Sequence, residues 1–102
     1  MMREIRSIIE DRIATAMEST GAPERTKALV VPATRPEFGD YQANGIMSVA
    51  KKLGKNPRDF AQAVVDSVEL NDIAESVDIA GPGFINIRLK LEWLNQFVNE
   101  AS

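Results

Sequence analysis

Residues 76–90 read Ser76-Val77-Asp78-Ile79-Ala80, then Gly81-Pro82-Gly83, then Phe84-Ile85-Asn86-Ile87-Arg88-Leu89-Lys90. Apolar and polar residues alternate on both sides of the Gly-Pro-Gly connection, which is the period of a β-strand. Three residues are too few to carry a crossover between parallel strands, so the two strands must lie antiparallel. Alternation then sorts the second strand into two faces, Ile85, Ile87 and Leu89 on one and Phe84, Asn86, Arg88 and Lys90 on the other. The first face needs an apolar cover, and the rest of the chain has to supply it.

Four helical stretches can do so. Over 3–20, Ile5, Ile8, Ile9, Ile13, Ala16 and Met17 recur at three- and four-residue spacing, with Gly21 and Pro23 to end the helix. A second helix is expected over 41–53, with Asp40 as its N-cap, Ile46, Val49, Ala50 and Leu53 inward, and Gly54 at its end. Gly45 inside it disfavours the first turn by about 1 kcal/mol relative to Ala. Asn56, Pro57 and Asp59 mark the start of a third, 57–69, whose inward face is Phe60, Ala61, Val64, Val65 and Val68. A fourth, 92–101, brings Leu94, Phe97, Val98 and Ala101 together. Ala28–Val31, closed by Pro32, is a short strand candidate, and Arg35–Phe38 is a candidate for a further one. The expected architecture is α+β: two layers, a mainly antiparallel sheet of three to four strands packed on one face by about four helices.

A length of 102 residues suits a single domain, one that buries roughly 65% of the surface its unfolded chain exposes. The absence of Cys excludes disulfides, thiolate nucleophiles and Cys-based zinc sites, and the absence of His removes the commonest general base and metal ligand. Ala28–Val31 is the longest wholly apolar run, far short of the ~20 residues a membrane span needs. Arg3, Glu4 and Arg6 place charge where a signal peptide needs its apolar core, so a cytoplasmic protein is expected. No Ser or Thr has a His to activate it, and no Gly-rich loop carries a Walker-type Lys. Catalysis, a metal and a cofactor are therefore not expected of this chain.

The polar strand face admits two readings. An aromatic ring, an amide and two cations in a row are what single-stranded RNA needs: a splayed base stacks on Phe84, the amide of Asn86 reads its edge, and Arg88 and Lys90 meet phosphates. Alternatively Phe84 packs under a loop and the polar residues are simply solvated. Charge is segregated as well. Lys51, Lys52, Lys55 and Arg58 occur in 51–58 without an acid, whereas 59–80 holds six acids and no base. A net charge of -3 rules out binding by bulk charge but leaves room for a local basic patch. Each run is equally consistent with a solvated helix surface.

Three motifs stand in order along the chain: Phe38-Gly39-Asp40-Tyr41-Gln42-Ala43-Asn44, the helix end Ala50-Lys51-Lys52-Leu53-Gly54, and Gly81-Pro82-Gly83-Phe84-Ile85-Asn86-Ile87. Together they resemble the N-terminal additional domain of bacterial arginyl-tRNA synthetases, over essentially the whole chain. The resemblance implies a tRNA-binding domain, 1–102, that docks on the elbow of tRNA-Arg and contacts its D-loop. An aromatic residue and an amide two positions later, here Phe84 and Asn86, would recognise an exposed D-loop base. Gly81 stands where some relatives carry a polar side chain, and it can offer only backbone. Gln42 belongs to the first motif, although a local role beside a capping Asp40 and a packed Tyr41 is the favoured reading there. Lys51, Lys52 and Lys55 would anchor the RNA backbone. ATP and arginine would bind a class I catalytic domain of the parent ligase that this chain does not contain. The competing function is a docking module for another protein or domain, anchored by Phe84 or Trp93 without RNA contact.

Overall fold

In the computed structural model the backbone is described over residues 2–101 and the side chains over residues 4–96. The element order is α1 (Met2–Ser19), β1 (Val30–Pro32), a 3-10 turn (Pro36–Phe38), β2 (Tyr41–Ala43), α2 (Ile46–Lys52), α3 (Pro57–Ser67), β3 (Ala74–Ala80), β4 (Phe84–Leu89) and α4 (Leu91–Ala101). The strands form one antiparallel sheet in the order β1-β2-β4-β3, and the hairpin expected from the Gly-Pro-Gly connection joins β3 to β4. The α+β reading therefore holds, with four strands.

Alternation along β4 is realised residue by residue. Ile85, Ile87 and Leu89 are buried, whereas Phe84 and Asn86 are half-buried and Arg88 is exposed. Val30, Tyr41 and Ala43 extend the buried face across β1 and β2, and α1 (Ile9, Ile13, Met17), α2 (Ile46, Ala50) and α3 (Phe60, Ala61, Val64) cover it. Both α1 and α2 close with a Schellman pair of hydrogen bonds, Gly21 N to Glu18 O with Ala22 N to Met17 O, and Gly54 N to Lys51 O with Lys55 N to Ala50 O. Asn56 caps α3 as expected, its Oδ1 accepting from Arg58 N at 3.0 Å and Asp59 N at 3.2 Å. Phe97, Val98 and Ala101 lie outside the described side chains. Trp93 and Leu94 pack against the core half-buried.

Two expectations need correction. The stretch 41–53 is not one helix. Tyr41–Ala43 is the fourth strand, because Tyr41 and Ala43 point into the core and Gln42 points out. Gly45 is the N-cap of α2, and a Cβ there would sit 2.5 Å from Lys27 O, so only glycine lets the two backbones pass this closely. Asp40 accordingly caps no helix. Its Oδ2 accepts from Leu89 N at 2.8 Å and its N–H donates to Ile87 O, which prolongs the β2–β4 ladder by one residue with a side chain. Arg35–Phe38, the other strand candidate, forms the 3-10 turn led by Pro36.

Candidate nucleic-acid interface

The register lines up one polar row across the sheet's outer face. Val31 pairs with Gln42, Gln42 with Asn86, and Asn86 with Asp78. Gln42 Nε2 donates to Asn86 Oδ1 at 2.9 Å. Phe84 stands on the same face two residues along β4, about 7 Å from Asn86 at the rise of an extended strand. Its ring does not join the core: Val77 and Ile79 pack against the buried cluster, and Phe84 does not. A Cβ at Gly81, whose φ is +55°, would lie 3.6 Å from the ring edge, so the bare glycine leaves that side of the ring open.

A cation reaches the hairpin turn from the helical layer. Arg58 Nη1 donates to Gly81 O, which ties the start of α3 to the hairpin turn. The basic run 51–58 contains Arg58, but its position at the hairpin turn follows from the docking of Gly83 against Met47 and Pro57, which no local pattern encodes.

The other expected site residues are dispersed. Arg88 is exposed on the outer face, and its Nη2 donates to Pro36 O at 3.0 Å, which holds the 3-10 turn against β4. Lys90 falls past the end of β4, about 20 Å along the strand from Phe84, where it borders a hollow with Glu75 and Glu92. Lys51 and Lys52 are exposed in the last turn of α2, in the layer that covers the opposite face of the sheet. Lys55 donates to Thr20 O at 2.9 Å and lies 5.6 Å from the Phe60 ring centre, so it satisfies a carbonyl at the end of α1. The structure thus gathers Phe84, Asn86, Gln42 and Gly81, and leaves the four lysines outside that group. Asp78, exposed across from Asn86, adds an acid at the margin of the row.

Elsewhere on the surface, Arg12 bridges α1 to the loop after α3, its two guanidinium nitrogens 2.5 and 3.0 Å from the Asp72 carboxylate oxygens. The hydrogen bond from Arg12 holds the Asp72 carboxyl below its ordinary value and raises the Arg12 pKa in turn. No helix among the described residues is long and apolar enough to cross a membrane.

A family model described as "Arginyl tRNA synthetase N terminal domain" matches residues 3–89. The arginine–tRNA ligase of Histophilus somni strain 2336 is 60% identical over 90 residues, 88% of this chain and 16% of that protein. The arginine–tRNA ligase of Hahella chejuensis is 48% identical over 97 residues, 95% of this chain and 17% of that protein. The chain thus spans about a sixth of the length of the curated relatives it matches. Among solved structures, Thermus thermophilus arginyl-tRNA synthetase superposes with a TM-score of 0.76 at 30% identity, covering 90% of this chain and 15% of that one. The Plasmodium falciparum enzyme superposes with a TM-score of 0.79 at 21% identity, covering 90% and 17%, a likeness of fold.

Proposed function

The chain belongs to the arginyl-tRNA synthetase N-terminal domain family, and from that premise we propose that it is a tRNA-binding domain whose outer sheet face meets the D-loop of tRNA-Arg. Phe84 stacks on an exposed loop base, and Asn86 hydrogen-bonds its edge. The domain thereby orients the tRNA for aminoacylation by the catalytic domain of the parent ligase, which supplies the ATP and arginine sites. The observation that carries this reading is Phe84 itself, an aromatic side chain outside the core, on the polar face of a strand, two residues from an amide on the same face. Stacking of one base on such a ring contributes about 1–3 kcal/mol and needs no bulk positive charge. Phosphate contacts then fall to Arg58 and Arg88, the cations that flank the row, and these position the RNA without selecting its sequence.

With so few cations, little counterion release supports binding, so the isolated chain should bind weakly and lose affinity as salt rises. The test is an NMR titration of the 102-residue chain with a tRNA-Arg transcript at low and moderate salt. Shifts centred on residues 81–88 and Gln42, weakened at least about fivefold in Phe84→Ala, are expected. Equal affinity of parent and Phe84→Ala defeats the proposal. A docking role toward another protein domain is favoured by a different observation: Leu29 and Val31 lie exposed side by side on edge strand β1 and its approach. That surface should then shift on adding the partner domain and stay silent to RNA.

A further inference from the structure

The sheet has two edges, β1 and β3, and the chain treats them differently. Leu29 O accepts from Asn44 N and Ala33 N donates to Asp40 O, so the odd-numbered residues of this stretch face β2 and the even-numbered N–H groups are left for the free side. That side is shut. Glu10 on α1 accepts from Ala28 N at 2.6 Å and from Val30 N at 2.9 Å, and Arg6 Nη1 donates to Val30 O at 3.5 Å. Pro32 has no N–H to offer. A carboxylate and a guanidinium from a helix thus stand where a further strand would bond.

β3 has no such cover. Asp40 N donates to Ile87 O and Asp40 Oδ2 accepts from Leu89 N, whereas Lys90 N donates to Ile73 O. On β4, then, the odd-numbered residues face β2 and the even-numbered ones face β3. Their partners Ser76, Asp78 and Ala80 are committed to β4, and Val77 and Ile79 turn their N–H and C=O groups to the free side. Among the described residues no side chain or loop bonds these groups. β3 has seven residues against three in β1 and contains no Pro, although a bulge between Ala74 and Ser76 limits its straight part to 76–80.

Closing one edge alone prevents open-ended growth. Head-to-tail extension of a sheet needs both edges, so with β1 shut this one can add a strand at β3 and stop there. The surroundings of β3 select that strand. Val77 and Ile79 are half-buried on the core side, and half-buried Val65 continues the Pro57-Ala61 ridge of α3, which meets the hairpin at Gly83. They offer apolar contact to one face of an added strand. Glu75 and Asp78 are exposed on β3, and Asp66 and Glu69 are exposed at the end of α3. A second copy fits poorly, because two β3 strands paired about a two-fold axis would set these acids against themselves. RNA phosphates meet the same repulsion. We propose that the free edge of β3 docks an extended peptide segment of alternating basic and apolar residues, its backbone bonding Val77 and Ile79 and its cations meeting Glu75 and Asp78. This surface is separate from the Phe84 ring and does not depend on the RNA-binding reading.

The test is an NMR titration of the 102-residue chain with two synthetic peptides as long as β3, one alternating lysine and valine, the other glutamate and valine. The lysine peptide should shift the Val77 and Ile79 amides and slow their hydrogen exchange, since these pass from water to a bonded state. Ser76 and Asp78, already bonded to β4, should change little. The glutamate peptide should bind at least about threefold more weakly. Val77→Pro removes an outward donor and no ladder bond, so it should weaken the lysine peptide at least about fivefold with the hairpin intact. If that variant does not fold, Glu75→Lys combined with Asp78→Lys, both at exposed positions, should reverse the preference between the peptides. No binding of the lysine peptide, equal affinity for both peptides, or protection of the Val77 and Ile79 amides by a tRNA-Arg transcript instead overturns the inference. Phe84→Ala, which tests the RNA reading, should leave the peptide titration unchanged, and a loss there would place the peptide on the outer row and overturn the inference as well.

Discussion

The two faces of β4 are built from one backbone and follow opposite rules. Inward, Ile85, Ile87 and Leu89 are at most 4% exposed and belong to a single buried cluster with α1, α2 and α3. Outward, Asn86 bonds Gln42 on the neighbouring strand β2, Arg88 holds the 3-10 turn and Phe84 lies beside the hairpin turn, and none of the three belongs to that cluster. The buried face accounts for the fold without help from the outer one. An aromatic residue on the outer face is thus unexplained by folding, and this is what makes it informative about function.

The contrast is sharpest in stability. Ile87 is fully buried at the centre of the inner face, so Ile87→Ala should cost about 2–5 kcal/mol through lost transfer energy and the cavity left behind. Phe84→Ala should cost less than about 1 kcal/mol, because no core contact is removed. Denaturant melts of both variants check the pair. A Phe84→Ala loss comparable to that of Ile87→Ala would mean that the ring is a packing residue, and the division between the faces would fail.

The second prediction concerns how the outer row is kept in register. β2 has three residues, and its position depends on the chain turning straight into α2 at Gly45. Gly45→Ala places a methyl group 2.5 Å from Lys27 O and 2.9 Å from Ala28 O, both backbone atoms with little room to yield. Overpacking of this sort costs about 1–3 kcal/mol. The loss should come with altered shifts at Gln42 and Asn86, because Ala43 and Gln42 must move with Gly45. A variant with parental stability and unchanged outer-row shifts would show that β2 is held by its ladder alone.

The sequence made legible what depends on period and on local chemistry. The hairpin, the faces of β4, the α1 stripe and the Asn56-Pro57 start of α3 all follow from spacing and capping. Tyr41–Ala43 does not show itself as a strand because three residues are too short to display alternation, and because Asp40 ahead of the helically spaced Ile46, Val49, Ala50 and Leu53 imitates an N-cap while its carboxylate serves the sheet. Phe84 and Asn86 were legible as a face, and Gln42 acquired its place beside Asn86 only through the pairing of strands 44 residues apart. The lysines misled in the opposite sense: a basic run in sequence became one cation at the hairpin (Arg58), one at the end of α1 (Lys55) and two on the helical layer. Linear charge density carries no information on which layer a side chain enters.

The smallest expected effect tests whether the two layers can be perturbed separately. Arg12 and Asp72 join α1 to the loop after α3, away from both faces of β4, and their side chains are 35% and 62% exposed. Because the folded Asp72 carboxyl lies below its ordinary value of 3.8, the pair stabilises the fold fully above that value, and the contribution is lost as pH falls through the lowered one. Screening at so open a site limits it to about 1 kcal/mol or less. Asp72→Asn should therefore melt slightly below the parent at pH 7, and the gap should close as acid takes the solution through the lowered Asp72 value. In the parent, shifts that follow this titration should cluster at Arg12 and residues 69–73 and leave Phe84 and Asn86 unmoved. If instead the outer-face signals titrate with Asp72, the helical layer and the RNA-facing row are coupled through α3 and the Arg58 link to Gly81, and the separation of stability from recognition on β4 gives way to a single cooperative unit.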